Sequence, residues 1–402
     1  MILKTIYLNA LIISTCILLV GCLSQNAKNQ PAPESKIVGG GCDGCELMYV
    51  GMPKQVTTID TSAGWNEPGQ KLIISGTVFK NGGRKPAPGV IIYYWQIDHK
   101  GYYSPGVGME ELAKAHGHIR GWVKSDENGK YTFYTNRPAP YPRQNLPAHI
   151  HLSIKEPDLN NEYYVDDLNF DDDELLYSYL RKHPQENRGG SGIVRVLLND
   201  SIQIGWHDII LGLNIPNYPG IIDPVIQSGL PIGVDHPSFM PYHAYGPDKG
   251  TQVCPVCKYG RFLGILYYVG NHPQWDEIKS WLAFLEQLSA AHGKYLKVFF
   301  IYGNELGYDK EKRMTQLAQM GEELNIKNIA LTFVPSFTDK ELQVNLTKVN
   351  PEVGNTFILF KQSRIVDKYI ELKPTKENFQ LINNALTNWQ DSSLSLTALS
   401  RE

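Results

Sequence analysis

The apolar pattern of this chain changes period near its middle, and no single layered architecture accommodates both patterns. From Leu72 to about Leu213 the apolar runs are short and β-rich: Leu72–Phe79, Val90–Trp95, Tyr131–Thr135 and His149–Ile154. Turn sequences such as Asn81-Gly82-Gly83 and Asp126-Glu127-Asn128-Gly129 separate them. This spacing predicts a β-sandwich, with helix confined to Met109–His116 and Asp172–His183. The excess of 23 Tyr over 13 Phe leans the same way. Beyond Phe262 the pattern alternates apolar strands with amphipathic helices. In Asp276–His292, Ile278, Trp281, Leu282, Leu285 and Leu288 share one helical face. The order β-α-β-α-β-β-β-α predicts an α/β layout. Between the halves, Asn217 to Gly250 is rich in Pro and Gly and has no period. The fold class is therefore mixed: an all-β sandwich over 37–216, a linker over 217–244, an α/β domain over 245–390 and a disordered tail over 391–402.

A chain of 402 residues with 42% apolar and 20% charged side chains can build both cores. Its 38 basic and 41 acidic residues leave a net charge of −3, which argues against nucleic acid as a partner. At the N-terminus, Lys4 precedes an apolar run from Ala10 to Val20 that ends in Leu19-Val20-Gly21-Cys22. This end resembles the lipobox of bacterial lipoproteins. It implies that residues 1–22 are a signal peptide, that Cys22 is acylated, and that the lipid anchors the chain to a membrane. The alternative is an ordinary signal peptide with a chance cysteine. Residues 23–36 (LSQNAKNQPAPESK) read as a polar tether. Leu23, rather than Asp, after the lipidated Cys points by the same resemblance to the outer membrane or periplasm rather than the inner membrane. Export places the remaining cysteines in an oxidising compartment, where pairs persist as disulfides. They form two C-x-x-C units, Cys42-Asp43-Gly44-Cys45 and Cys254-Pro255-Val256-Cys257.

His149-Ile150-His151 sets two imidazoles two residues apart, so a strand directs both to one face. Such a pair is a bidentate site for a first-row metal, or simply part of a solvated strand face. Upstream, Tyr141 is held between Pro140 and Pro142, which stiffen the segment that aims its phenol. Around these residues an ordered set of motifs appears. It runs Gly76-Thr77-Val78-Phe79, Pro86-Ala87-Pro88-Gly89-Val90, Tyr94-Trp95-Gln96, Gly101-Tyr102-Tyr103, Arg120-Gly121-Trp122, Thr135-Asn136-Arg137-Pro138-Ala139-Pro140-Tyr141-Pro142 and Pro147-Ala148-His149-Ile150-His151. From Leu72 to Ile215 the chain resembles the intradiol ring-cleavage dioxygenases. The resemblance implies a β-sandwich carrying non-haem Fe(3+) on Tyr103, Tyr141, His149 and His151. It also implies O₂-dependent opening of a catechol-type ring between its two hydroxylated carbons, with no NADH or flavin. Phenolates suit a hard trivalent ion, and the ion must lower a phenol pKa of about 10 for them to form. Where family members commonly carry an Arg just before Pro-Ala-His, this chain has Leu146; Arg143 and Arg120 are the candidate replacements, with Arg137 a third.

The strand order over 245–390 resembles the thioredoxin fold, without its usual site. Gly270-Asn271-His272-Pro273 follows the first strand with no Cys, and Gly354-Asn355 stands where that family has Pro. Cys254 and Cys257 come before the strand, with no clear helix start beneath Cys254. They read, in order of preference, as a structural disulfide, a relocated redox pair, or half of a zinc site with Cys42 and Cys45. Gly40 to Glu46 resembles the C-E-G-C-E segment of lipoprotein-type dioxygenases and reads here as a local disulfide or as plain structural thiols. The acidic stretches Asp166-Asp167 and Asp171-Asp172-Asp173 resemble that family's acidic loop region and read as solvated loop, with a cation site as the alternative. Two function classes result. One is a ferric dioxygenase with a catechol-type substrate and O₂ as partners. The other is a non-catalytic surface lipoprotein with a binding or thiol–disulfide role. A homo-oligomer is compatible with either.

Overall fold

Alternation along Lys71–Phe79 buries Leu72, Ile74, Gly76 and Val78 on one side, which makes this strand the spine of the first half. A computed structural model describes residues 37–42, 44–220, 227–260 and 262–398. The segments expected to be signal peptide and tether, with Cys22, lie outside the described residues. Lys71–Phe79 pairs antiparallel with Lys130–Asn136 and parallel with Ile202–Trp206. Ile59–Thr61 and Val196–Asn199 complete that sheet at its edges. The opposing sheet runs Arg120–Lys124, Ile91–Trp95, His149–Lys155, Leu168–Phe170, Ile193–Val194. Leu72, Ile74, Tyr94, Phe133, Ile150 and Leu152 interdigitate between the sheets as a dry core.

The second sheet also has a covered outer face. Tyr93 and Trp95 point there with Met48. The short 3-10 turn Cys45–Tyr49 closes over them, and the Trp122 indole N–H donates to the Met48 carbonyl at 2.7 Å. This face, not the core between the sheets, receives the two imidazoles.

The second half is a six-stranded mixed sheet ordered Tyr242–Tyr245, Ala330–Phe333, Leu296–Tyr302, Leu263–Val269, Thr356–Lys361, Arg364–Ile370. The helices Trp275–His292, Lys310–Glu323 and Lys376–Ala398 accompany it. Every residue of Leu263–Val269 is buried, as expected for a central strand covered on both faces. No helix among the described residues is long and apolar enough to cross a membrane.

Several expectations shift. The helix expected over Met109–His116 is a 3-10 turn at Leu112–His116, and that over Asp172–His183 is α-helical only at Leu176–Leu180. In the latter, the Asp173 carboxylate accepts the backbone N–H of Leu175, so the helix begins after it. The segment expected to be linker contributes the edge strand Tyr242–Tyr245, and its Val234 and Phe239 enter the second core. Irregular backbone hid this packing because it has no period. The closing helix continues past Gln390 to Ala398, since no Gly or Pro interrupts it. A helix also starts directly beneath Cys254, which caps Pro255–Tyr259: proline at the first helical position supplies the start that hydrophobic periodicity missed. Val38 to Glu402 forms one compact unit, with the two halves in contact.

Candidate metal centre

Strand alternation sends Ile150, Leu152 and Ile154 into the core and leaves His149, His151 and Ser153 on the outer face. His151 lies opposite Trp95 and His149 opposite Asn169, so the two imidazoles stand on a central strand, their backbone held by one neighbouring strand each. Each ring is then locked through Nδ1. That of His149 donates to the Pro147 carbonyl at 2.8 Å, and that of His151 to Asp167 Oδ1 at 2.8 Å. With the proton on Nδ1, the Nε2 lone pair of each ring is the one available to a metal.

Two phenols arrive from loops. His151 Nε2 is 3.0 Å from the Tyr103 hydroxyl, which is 2.7 Å from the Tyr141 hydroxyl. The Tyr141 ring lies 5.4 Å from that of His149, and the two imidazoles are 4.6 Å apart edge to face. The two loops meet because Gly101, at φ 89°, has no Cβ; one would fall 2.6 Å from Pro142 Cδ and 2.8 Å from the Pro140 carbonyl oxygen. Asp98 ties the Tyr103 loop by accepting from Lys100 N, Tyr102 N and the Ser104 hydroxyl. Burial alone would raise this carboxyl, but those three donors hold it below the usual carboxylate range.

The electrostatics describe a site of neutral donors. Burial, then the Tyr141 hydrogen bond, pushes the Tyr103 phenol well above its ordinary value; burial also raises Tyr141. Burial and the neighbouring His151 push His149 down, so its imidazole stays neutral. Asp167 is held low despite burial, because the imidazoles of His151 and His149 favour its charged form. Phenolates at these positions require a cation, and the two phenols and two imidazole nitrogens are a fitting donor set for a hard trivalent ion. His149, His151 and Asp167 also form a compact metal-capable group. Asp167, however, is on the Nδ1 side of His151, away from both phenols, and so acts as the partner that orients the ring rather than as a fourth ligand.

The arginines lie apart from this cluster. Arg120 faces the same side as His151 but two strands away across Trp95, about 10 Å at ordinary strand spacing. It donates to the Val50 carbonyl and stacks 4.9 Å from the Trp122 ring. Arg143 is exposed, with φ 63° and no partner among the described residues. Arg137 is taken by Asp172 at 2.7 Å. Leu146 borders a cavity of about 530 Å³ beside Tyr179, Lys182 and His183. Tyr179 and His183 also border a second cavity of about 470 Å³ that reaches His151 and Asp167.

Asp167 and Asp173 are the functional residues that the sequence reading missed. The acidic stretch is not solvated loop. Asp173 accepts the Ala148 N–H at 2.8 Å beside His149, Asp166 accepts from Asn187 and Arg188, and Asp171 accepts from Val196 N. The signal was present in the run of acids itself; its partners were not. Trp95 and His116 form a further support: Trp95 stacks 5.0 Å from His151, and His116 lies nearly parallel on Trp95 at 4.2 Å. Burial pushes His116 down to about 4. Cys42 pairs with Cys45, and Cys45 Sγ accepts from the hydroxyl of Ser153, two residues beyond His151. Cys254 pairs with Cys257; with both pairs closed, no four-thiolate zinc site exists among the described residues.

The family model described as Dioxygenase matches residues 47–187, less than half of the chain. Similar solved structures include the dioxygenase domain of a dioxygenase–carbohydrate-binding fusion from Streptomyces sp. SirexAA-E. It is 22% identical, with 40% of this chain and 91% of that one covered and a TM-score of 0.30. A 3-chlorocatechol 1,2-dioxygenase from Rhodococcus opacus is 20% identical over 40% of this chain and 68% of that one, with a TM-score of 0.31. An intradiol ring-cleavage dioxygenase from Tetranychus urticae is 20% identical over 40% and 88%, with a TM-score of 0.29. No curated protein matches the chain.

Proposed function

We propose that the first half is a ferric intradiol dioxygenase, which opens a catechol-type ring between its two hydroxylated carbons and places both atoms of O₂ in a muconate-type product. The observation that carries this reading is the contact chain His151 Nε2, Tyr103 hydroxyl, Tyr141 hydroxyl, with both imidazole Nδ1 atoms already engaged elsewhere. Tyr103, Tyr141, His149 and His151 would hold the iron. When bound, it supplies the positive charge that makes phenolates of the two tyrosines and draws a catechol and O₂ to one centre.

The chain's own residues do the rest. Asp167 and the Pro147 carbonyl keep protons on Nδ1 and so present Nε2. Trp95 covers one face of His151 and keeps water from it. The phenolate oxygens of Tyr103 and Tyr141 can take protons from the substrate hydroxyls. No external reductant is needed, because the ring supplies the electrons.

Iron-loaded protein is expected to be burgundy, from charge transfer between phenolate and Fe(3+), and to consume O₂ with a catechol. Tyr103→Phe and Tyr141→Phe should each shift or weaken the band. A colourless iron-loaded protein sinks the ligand set. A coloured protein that leaves a broad panel of catechols and hydroxyquinols intact instead favours the binding-protein reading, for which the exposed position of Arg143 and the apolar Leu146 speak.

For the second half we propose a thioredoxin-like domain. It is supported by the order Leu296–Tyr302, Leu263–Val269, Thr356–Lys361, Arg364–Ile370, with only Thr356–Lys361 antiparallel to Leu263–Val269 among its neighbours there. We also propose anchoring at a bacterial membrane through lipid on Cys22, on the strength of Leu19-Val20-Gly21-Cys22. Radiolabelled palmitate incorporation that survives Cys22→Ala overturns it.

A further inference from the structure

The contact between the two halves encloses a cleft that belongs to neither alone. Its outer chamber, about 630 Å³, is bounded by Arg84, Lys130 and Trp206 of the sandwich and by Asp367 and Tyr369 of the second half. A small inner chamber of about 40 Å³ shares Trp206 and Val366 with it and is bounded by Arg195, Asp208, Lys361 and Arg364. Five basic side chains thus converge on two acidic ones.

Much of the acid is already engaged. Asp367 holds Arg84 across the junction at 2.8 Å, and Asp208 accepts the Thr77 N–H and the Trp206 indole N–H. Arg364 donates through one nitrogen to the Ser191 and Ile193 carbonyls, while its buried Nε has no partner. Among the described residues, neither Lys130 nor Arg364 has a carboxylate at ion-pair distance; Lys130 reaches only the Thr77 hydroxyl, at 2.8 Å. Burial, with Lys130 nearby and against the pull of Asp208, brings the Lys361 ammonium down to about 8. The aromatic walls already face cations: Lys130 Nζ is 4.8 Å from the Trp206 ring centre and Arg84 is 5.1 Å from that of Tyr369.

We propose that this cleft binds an aromatic carboxylate, with the carboxylate among Lys130, Lys361 and Arg364 and the ring against Trp206 in the outer chamber. Charge-assisted hydrogen bonds to an anion supply what the lining lacks, and a chamber of this size suits a ligand with a flat apolar body rather than an inorganic ion. Because both halves contribute, the ligand also ties them together. The inference does not depend on the ring-cleavage reading.

The probe is 2-naphthoate, titrated calorimetrically into the full chain, with the neutral 2-naphthylmethanol as its control. Naphthoate should bind at least tenfold more tightly than the alcohol. Lys130→Met and Lys361→Met should each weaken naphthoate at least fivefold and leave the alcohol unchanged, whereas Trp206→Leu should weaken both. Should a variant fail to fold, the wild type answers: naphthoate should protect Lys130 and Lys361 from acetic anhydride, read by peptide mass spectrometry, and leave the exposed Lys294 unprotected. Equal binding of acid and alcohol, no binding at millimolar naphthoate, or binding without protection of the two lysines overturns the proposal.

Discussion

The strands His149–Lys155 and Leu263–Val269 are of equal length and sit mid-sheet, yet only one presents chemistry. In the first, alternate residues enter a core while His149, His151 and Ser153 face a layer of loops. In the second, all seven residues are buried beneath helices and neighbouring side chains, and none is charged. A sheet packed on one face by another sheet and on the other by loops can hold ligands on its open face, here in the first half of a central strand. A sheet covered on both faces must place its chemistry at strand ends and in loops, and there the second half keeps Cys254 and Cys257, ahead of its first core strand.

The strongest way to sharpen this contrast is Phe300→Ala. Phe300 is fully buried, 5.3 Å from the Tyr267 ring, so its loss should cost about 3–5 kcal/mol of stability. Chemical denaturation with iron absorbance as a second probe checks it. If the colour persists while the second half unfolds, the halves are independent; if both signals vanish together, the compact unit unfolds as one.

Asp167→Asn addresses the other strand. Without a carboxylate to hold the proton on His151 Nδ1, iron affinity should fall about 10–100-fold, with the fold retained. Competition with a chelator measures it. An unchanged affinity would mean that Asp167 does not orient the ligand.

Cys254→Ser with Cys257→Ser should lower stability by about 2 kcal/mol, the loop being short, and leave ring cleavage intact. Catalytic insulin reduction by the wild type would instead make the pair a working redox centre, a role that the exposed Cys257 at a helix start keeps testable.

A further effect concerns pH and touches both halves. Burial pushes His116 and His236 down to about 4, against about 6.5 in an unfolded chain. Between these values the unfolded chain binds more protons. Stability is therefore full above pH 6.5 and is lost as pH falls towards 4. His116→Gln should flatten that loss in part; urea midpoints from pH 4 to 7 show whether it does.

How much of this was legible beforehand depended on distance along the chain. The period-2 alternation placed His149 and His151 on one face, prolines stiffened the approach to Tyr141, and the change of period separated the halves. These are local consequences of backbone geometry, so residue order alone carries them. Short helices were overcalled at Asp172–His183 because side-chain acceptors compete with helical hydrogen bonds there, and the helix at Pro255 was missed because five residues have no period.

The sequence by itself thus determined which residues could serve as ligands and which face they share. Only the tertiary structure decided that Tyr103 meets Tyr141, that the proton of His151 goes to Asp167, that Arg120 is committed to Val50, and that Arg84 and Asp367 join the halves beside a basic cleft. Each of these pairs is long-range, from 16 to 283 residues apart. Their geometry is set by which sheets and loops pack together, and no local rule of spacing reaches that far.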